Sequence, residues 1–558
     1  LTTTPDVDTT GLAFSGAPDP NRGGGAVTAP RLSTGRLALR TAGVRLPLAL
    51  TRDRAFVGGL VGLAALLRAP TIGRAYWIDE AISLGIASHP LTQLPRLLRH
   101  DGSPPLFYAL LHLWVRLFGS SEPATHMLPL LISLAAVPAA YWAGRELFDR
   151  RAGLAAAALM ATNPFLNWYA TETRMYTLVI LEATVGLTLA WRAVRDRRRA
   201  DGIGAVAAYT ALLYTHDWAI YLTVVTAAVL FWVARSRGDR MLGRWVLAGA
   251  GATFALWLPW LPSFLFQAGN TAAPWAVRPG IGDFFADPAS VLAGTLGIIV
   301  VPLLVFGVWR NRDSRPAPTT WVAGGLGAVA LLTTVVGFLG AEIEPSWTAR
   351  YLAVLVAPYL LAAAGILAPT RLGRAVVASA CGSLAFWALV GMLLPNPSSR
   401  YAKDNMAAVA ATARPHLQPG DVVVVNQSEQ VPVAHHYLPP GLSYLTPTGP
   451  VADPTVVDWR DIVHRLQQAT PCSALSPTLD ALPLGADVLE IDPVRHLGAS
   501  GSAWSRAVND QIRAVDQFLT EDPALKAVGV YAAGLHPKPY AAVAGIMFEK
   551  TSATPSCA

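Results

Sequence analysis

The chain has 558 residues, 53% of them hydrophobic and only 14% charged, with a mean hydropathy of +0.39. A soluble domain carries about 25% charged residues, so that class is excluded, and apolar runs long enough to cross a bilayer indicate a polytopic membrane protein. The net charge of +7 is accounted for by Arg-rich cytoplasmic loops and calls for no nucleic-acid partner.

Residues 1–54 read as a disordered, basic cytoplasmic tail. Its first 30 residues are rich in Thr, Pro, Gly and Asp, unlike a cleavable signal. Arg31, Arg36, Arg40, Arg45, Arg52 and Arg54 then lead into the first span. Spans are predicted at 55–72, 124–143, 152–169, 174–194, 203–217, 218–235, 244–266, 290–309, 319–340, 350–368 and 374–394. One more apolar segment, "PPLFYALLHLWVRLFG" at 104–119, is short and carries His112 and Arg116.

Arginine placement decides whether 104–119 crosses. If it does not, the loops at 144–151, 192–201, 235–244, 310–316 and 369–374 face the cytoplasm and hold 17 Arg. The opposite loops at 170–174, 215–218, 267–289 and 341–350 hold three, Arg174, Arg278 and Arg350. A crossing segment would invert that bias, against the positive-inside tendency. The expectation is therefore a transmembrane domain over 55–394 with about eleven spans and a large first outer loop at 73–123. The N-terminus is then cytoplasmic and the C-terminus outside.

Residues 395–558 change character. "GDVVVVNQ" (420–427), "ADVLEID" (486–492) and "GIMFEK" (545–550) read as strands, and "DWRDIVHRLQQA" (458–469) as an amphipathic helix. This predicts a small extracytoplasmic α/β domain. Cys381 falls in the last span as a small core residue. Cys472 and Cys557 both fall in the outer domain, where an oxidising compartment permits a disulfide that would pin the C-terminal tail.

With this topology the outer face collects the unusual polar residues. "YWIDEAISLG" (76–85) sets Asp79 and Glu80 just past the first span, and "RHDGSPPLFY" (99–108) adds His100 and Asp101. "YATETRMY" contributes Glu172, Arg174 and Tyr176, and "THDW" contributes His216 and Asp217. "EPSWTARYL" contributes Glu344, Trp347, Arg350 and Tyr351, and "SSRYAKDN" contributes Arg400 and Lys403. Charge near hydrocarbon is costly, so both signs at one depth suggest a site. Carboxylates there can act as a general base toward a hydroxyl or bind a divalent cation. Arginines can hold a phosphate through paired N–H donors. Together they suit group transfer from a lipid-linked phosphate. Each piece also has a plain structural reading: the Asp-Glu pair as a helix cap, the arginines as interfacial anchors, His216 as a hydrogen-bonded loop residue. No Cys/His spacing suggests zinc, and no Walker-type loop is present.

Five motifs resemble the GT-C membrane glycosyltransferases, in the branch of the protein O-mannosyltransferases and lipid A aminoarabinose transferases that take sugars from polyprenyl phosphates. They are "W-x-D-E" at 77–80, "D-x-x-P-P-L" at 101–106, "G-R-E-L-F" at 144–148, "E-T-R-M-Y" at 172–176 and "A-R-Y-L" at 349–352. The resemblance implies Asp79 as general base, Glu80 as an aid to acceptor positioning and Asp101 as the second acid of the site. It places Arg174 and Arg350, with Tyr176, Tyr351 and Lys403, near the donor phosphate. His100, His216 and Glu172 are candidates for acceptor or metal contact. Family members read "D-x-H-P-P-L" where Ser103 stands here, so a divalent cation, if used, must rely on His100 or His216.

The resulting expectation is an inverting transferase that moves a sugar from a polyprenyl phosphate to an envelope glycan, such as lipoarabinomannan, a glycolipid or a protein. It would act in the plasma membrane, on the extracytoplasmic face. Mannose is favoured by the resemblance, and by an Ala/Arg-rich composition with four lysines that suggests an actinobacterium. Arabinofuranose from decaprenyl phosphate is the alternative sugar. A lipid or polysaccharide transporter is the rival class, and it would require mid-membrane charge and an internal repeat that the sequence lacks.

Overall fold

The computed structural model describes residues 48–271, 273–294, 317–393, 403–494, 501–535 and 541–557. The expected tail as far as residue 47, most of the expected span at 290–309, and Arg400 lie outside the described residues.

Helix α1 (Leu48–Arg68) leads into three helices of the expected outer loop: α2 (Ile78–Ser88), α3 (Leu94–Asp101) and α4 (Leu106–Phe118). The bundle continues with α5 (Glu122–Leu147), α6 (Arg150–Thr162), α7 (Pro164–Tyr169), α8 (Tyr176–Asp196), α9 (Arg199–Thr215) and α10 (Ala219–Ser236). Then follow α11 (Arg240–Trp257), α12 (Leu261–Asn270), α13 (Ile281–Ala293), α14 (Ala317–Ile343), α15 (Ala353–Leu367) and α16 (Arg371–Leu393). Among the described residues, seven helices or helix pairs are long and apolar enough to cross a membrane. They are Glu122–Leu147, Tyr176–Asp196, Ala219–Ser236, Arg240–Asn270, Trp321–Ile343, Ala349–Leu367 and Arg371–Met392. The protein is a multi-pass membrane protein. Three more expected spans coincide with α1, α6–α7 and α9, which fall short of that combined length and apolar content. Helix α4 is 13 residues, roughly 20 Å at 1.5 Å per residue, too short for a core of about 30 Å. It buries Phe107, Tyr108, Leu111 and His112 and exposes Leu113, Leu117 and Phe118.

Small residues set the tightest crossing. A Cβ on Gly144 would lie 2.8 Å from the Ala152 carbonyl oxygen, and one on Gly153 would lie 2.7 Å from that of Tyr141. Helices α5 and α6 therefore touch backbone to backbone, as small residues permit in membranes. Phe148 fills the space at Gly365 of α15. The "G-R-E-L-F" motif thus packs helices. Arg68, fully buried at the end of α1, donates to the carbonyls of Ser133 (2.9 Å), Met160 (2.7 Å) and Ala161 (3.1 Å), and so ties α1 to α5 and α6.

The C-terminal region is a six-stranded sheet of order β3-β2-β1-β4-β6-β5. The strands are β1 (Val422–Val425), β2 (Ser443–Thr446), β3 (Gly449–Pro450), β4 (Asp487–Pro493), β5 (Leu525–Tyr531) and β6 (Val543–Lys550). Strand β1 pairs in parallel with β2 and β4, and the other pairings are antiparallel. Alternation explains the layering. Val423 and Val425 face α17 (Met406–Ala413) and α18 (Val431–Tyr437), while Val422 and Val424 face α20 (Pro471–Asp480) and α21 (Ala503–Glu521). The expected helix at 458–469 is shorter, α19 (Ile462–Gln468), because Asp461 ahead of it takes a left-handed conformation. Cys472 and Cys557 are joined by a disulfide, and Cys381 is free and buried.

The C-terminal region is held on α2, α3 and their neighbouring segments at specific points. A Cβ on Gly85 of α2 would sit 1.8 Å from the Thr455 carbonyl oxygen, so only glycine allows this approach. Tyr437 donates to Glu122 (2.8 Å) and accepts from the Tyr76 amide (2.8 Å). The Trp459 amide donates to the His100 carbonyl (3.0 Å).

Candidate active site

Helix α2 starts at Ile78, so Asp79 and Glu80 both fall in its first turn, where carboxylates are favoured by the helix dipole. Successive helical residues point about 100° apart, and the doublet separates accordingly. Asp79 keeps 17% of its side chain exposed, while Glu80 has none.

Asp79 Oδ2 accepts from Arg350 Nη1 at 2.8 Å. One helical turn on, Ser83 Oγ donates to the Asp79 carbonyl (2.8 Å) and accepts from Arg174 Nη1 (3.1 Å). The same Arg174 nitrogen donates to Tyr108 (3.2 Å), whose hydroxyl donates to Asp101 Oδ2 (3.1 Å). A continuous polar chain thus joins the Asp101 carboxylate, through Tyr108, Arg174 and Ser83, to the main-chain carbonyl of Asp79, whose own carboxylate holds the second arginine. Asp101 ends α3, where Gly102 reverses the chain with φ of 89°. Burial pushes its carboxyl up, opposed by Arg174, Ser103 and Tyr108.

Aromatic rings wall the two guanidiniums. Arg350 stacks 4.6 Å over Trp275 and lies 5.8 Å over Tyr351, and beside them Tyr169 meets Tyr176 and His216 meets Tyr351 edge to face, at 4.8 and 4.9 Å. His216 Nδ1 accepts from the Trp218 amide (3.1 Å). Burial, then Arg174 and Arg350, hold its imidazole down to about 3, so it is neutral. A cavity of about 290 Å³ opens here, lined by Arg174, His216, Asp217, Tyr351, Ser103 and Phe264 among others. Burial pushes Asp217 up to about 7.

Glu80 belongs to a second, enclosed cluster. Its Oε1 accepts from the Thr173 amide (2.9 Å) and lies 2.8 Å from His126 Nε2 and 3.8 Å from Arg74. Burial alone would raise the Glu80 carboxyl, but Arg74 and His126 override it and hold it at about 2. Glu172, also fully buried, meets Arg74 at 3.8 Å and pairs with Lys403. The Lys403 ammonium sits among Trp77 (4.8 Å), Trp168 (5.0 Å) and Tyr169 (5.3 Å). This cluster binds the start of α2 to the 170–174 loop and to the entry of the outer domain.

Asp79, Asp101, Arg174, Arg350, Tyr176, Tyr351 and His216 therefore converge. Glu80, Glu172 and Lys403 form the adjoining cluster, and His100 faces the outer domain. Arg74, Ser83, Tyr108 and His126 are site residues that the sequence does not single out, and Trp275, which reads as an interfacial aromatic, stacks on Arg350 instead. Ser83, four residues beyond Asp79, is the one that helical spacing could have flagged. Asp79 and Asp101 are engaged by Arg350 and Tyr108, whereas Asp217 on the cavity wall keeps its Oδ1 buried without a hydrogen-bond partner. Among the described residues no three His, Cys, Asp or Glu side chains converge.

Residues 102–262 match the family described as dolichyl-phosphate-mannose-protein mannosyltransferase. No curated protein sequence matches the chain. Among solved structures, ArnT from Cupriavidus metallidurans in the apo state is similar with a TM-score of 0.58 at 14% identity, covering 89% of this chain and 98% of that one. ArnT bound to undecaprenyl phosphate gives 0.57 at 15% identity, covering 91% and 99%. The archaeal oligosaccharyltransferase AglB from Archaeoglobus fulgidus, with an inhibitory peptide and a dolichol-phosphate, gives 0.51 at 11% identity, covering 79% and 69%. The chain has the fold of the GT-C membrane glycosyltransferases.

Proposed function

We propose that the protein transfers a sugar, mannose first and arabinofuranose as the alternative, from a polyprenyl phosphate to a hydroxyl of an envelope glycan, glycolipid or protein on the extracytoplasmic face. The observation that carries this reading is the Asp79–Arg350 pair at 2.8 Å, mostly buried with a little under a fifth of each side chain exposed, beside a second arginine and a cavity. The undecaprenyl phosphate bound by ArnT and the family description support a lipid-linked donor.

The chemistry follows from the charges. An acceptor hydroxyl attacks the anomeric carbon as the bond from that carbon to the phosphate oxygen breaks. The configuration inverts, the hydroxyl proton goes to the Asp79 carboxylate, and the phosphate leaves with the lipid. Arg174 and Arg350 meet the charge that develops on the phosphate, where fixed donors act most strongly. Arg350 holds Asp79 at rest and turns to the phosphate when the donor arrives, which frees the carboxylate to take the proton. Tyr176 and Tyr351 wall the donor. Asp101 acts through Tyr108 to orient Arg174, and neutral His216 offers its ring without repelling either arginine. Glu80, Glu172 and Lys403 position α2 and do not touch the substrate.

Transfer from synthetic polyprenyl-phosphate sugars tests this with Arg350→Lys. Lysine keeps the charge but loses the planar fork, so kcat should fall at least tenfold in the variant. Unchanged turnover would remove Arg350 from the phosphate.

A further inference from the structure

The outer domain carries a crevice that the transfer chemistry does not use. Strand order reverses at β1. The connection from β1 to β2 runs through α18 on one face of the sheet, and the path to β4 runs through α20 on the other. In open α/β sheets, ligands bind outside the carboxyl ends of the parallel strands, at such a reversal. Here a cavity of about 370 Å³ lies at that end, beside β1 and β2, with Ser428, Thr446 and Thr448 on its sheet side. Its opposite wall is the membrane-side helix α3, through Arg96, Leu97 and His100. The volume lies within the roughly 300–1,000 Å³ of small-ligand sites.

The lining indicates what fits. Charge is nearly balanced across it. Asp453 faces His89 at 3.0 Å, and Asp458 pairs with Arg460 at 2.7 Å and with Arg465 at 3.9 Å. Burial and Arg460 push His100 down toward its neutral form. A phosphate or sulfate would find no cluster of spare cations. Hydroxyl groups are plentiful: Thr446 and Thr448 sit 3.0 Å apart, and the Ser428 hydroxyl is buried with no hydrogen-bond partner. Between them lie apolar patches from Val431, Pro450, Val451, Val456 and Val457. Alternating hydrogen-bonding groups and apolar surface suit the hydroxyls and C–H faces of a sugar ring.

We propose that this crevice binds a neutral saccharide, an acceptor glycan that reaches the transfer site past α3. The geometry gives α3 two faces. His100 lines the crevice, while Asp101, the next residue, joins the Tyr108–Arg174 chain. Residues 102–104 continue into the wall of the transfer cavity. A glycan seated on the outer domain would therefore have its reactive end delivered beside Asp79. The inference rests on the sugar-transfer reading and names where the acceptor is held.

Binding is tested apart from transfer, on the full chain in lipid nanodiscs. The probes are short neutral oligosaccharides of mannose and of arabinose, read by saturation-transfer NMR. Wild type and Asp79→Asn should both give signal. Thr448→Trp, which fills the crevice from the sheet side, should lower it at least tenfold, and His100→Ala should lower it from the α3 side with the protein's thermal unfolding unchanged. Signal that survives both variants, or that only Asp79→Asn abolishes, places the saccharide elsewhere and overturns the proposal. So does an absence of signal from every neutral probe when a sulfated glycan binds. Failure of the sugar-transfer reading looks different: saccharide binding persists at the crevice while no polyprenyl-phosphate sugar is consumed.

Discussion

Replacing Glu80 with glutamine separates the two halves of the acidic doublet. Glu80 is fully buried, accepts from the Thr173 amide, and faces His126 at 2.8 Å and Arg74 at 3.8 Å. Its carboxyl is held at about 2 against an ordinary 4.5. Its surroundings favour the charged form, and removing one partner from such a buried cluster costs roughly 3–5 kcal/mol. Because the folded carboxyl is depressed, this stability is fully present above its ordinary value. It is lost as pH falls from about 4.5 toward 2. Thermal unfolding of the detergent-solubilised protein should show Glu80→Gln well below wild type. Asp79→Asn leaves an amide oxygen in place of the carboxylate oxygen that Arg350 holds, so it should lower stability less than Glu80→Gln does. If Glu80→Gln unfolds like wild type yet has lost sugar transfer, Glu80 is part of the chemistry and the structural assignment of the inner cluster is refuted.

Gly85→Val adds a side chain where a Cβ already meets the Thr455 carbonyl oxygen at 1.8 Å, so limited proteolysis should cut the outer domain free faster; an unchanged digestion pattern would contradict that contact. Cys557→Ser opens a disulfide that spans 85 residues, worth about 4–5 kcal/mol by loop entropy. Denaturant unfolding of the outer domain in the full chain should shift accordingly, and an equal midpoint with and without reductant would argue against it. Arg174→Lys breaks contacts to both Ser83 and Tyr108 and should cut kcat about 100-fold; wild-type kcat would show that the arginine does not meet the leaving group. His216, held at about 3, does not change charge between about pH 5 and 8. The acid limb of the pH–rate profile should therefore be the same in His216→Gln, and a displaced limb would show that His216 titrates in the reaction.

Much of this architecture is legible in the sequence because the bilayer restricts what a chain can do. Apolar runs locate the bundle, and the segment at 104–119 is a helix too short to span. The strands β1, β4 and β6 declare themselves as valine- and isoleucine-rich runs. Strand β3 has only two residues, and β5 lies at the sheet edge with most of its side chains exposed, so neither carries a burial pattern to read. In the site, Asp79, Asp101, Arg174 and Arg350 are found by residue type and by the short motifs that carry them. Local pattern does not reveal which charges are already matched. Lys403 and Glu172 are 231 residues apart in sequence and joined in space, and Asp79 and Glu80 are adjacent in sequence yet serve different clusters. Arg74 and His126 carry no sequence signal, since a lone arginine at a span end and a histidine on an apolar helix are ordinary there.

The most direct measurement is sugar transfer in membranes that contain wild-type protein or Asp79→Asn, with synthetic polyprenyl-phosphate mannose and polyprenyl-phosphate arabinofuranose as donors and envelope glycans as acceptors. Loss of a general base costs about 10²–10⁴-fold. Wild type should transfer from one donor, and Asp79→Asn should fall by that factor at equal protein level and with unchanged thermal unfolding. Equal transfer by Asp79→Asn would contradict Asp79 as the base, and a wild type that uses neither donor would contradict lipid-linked sugar transfer itself.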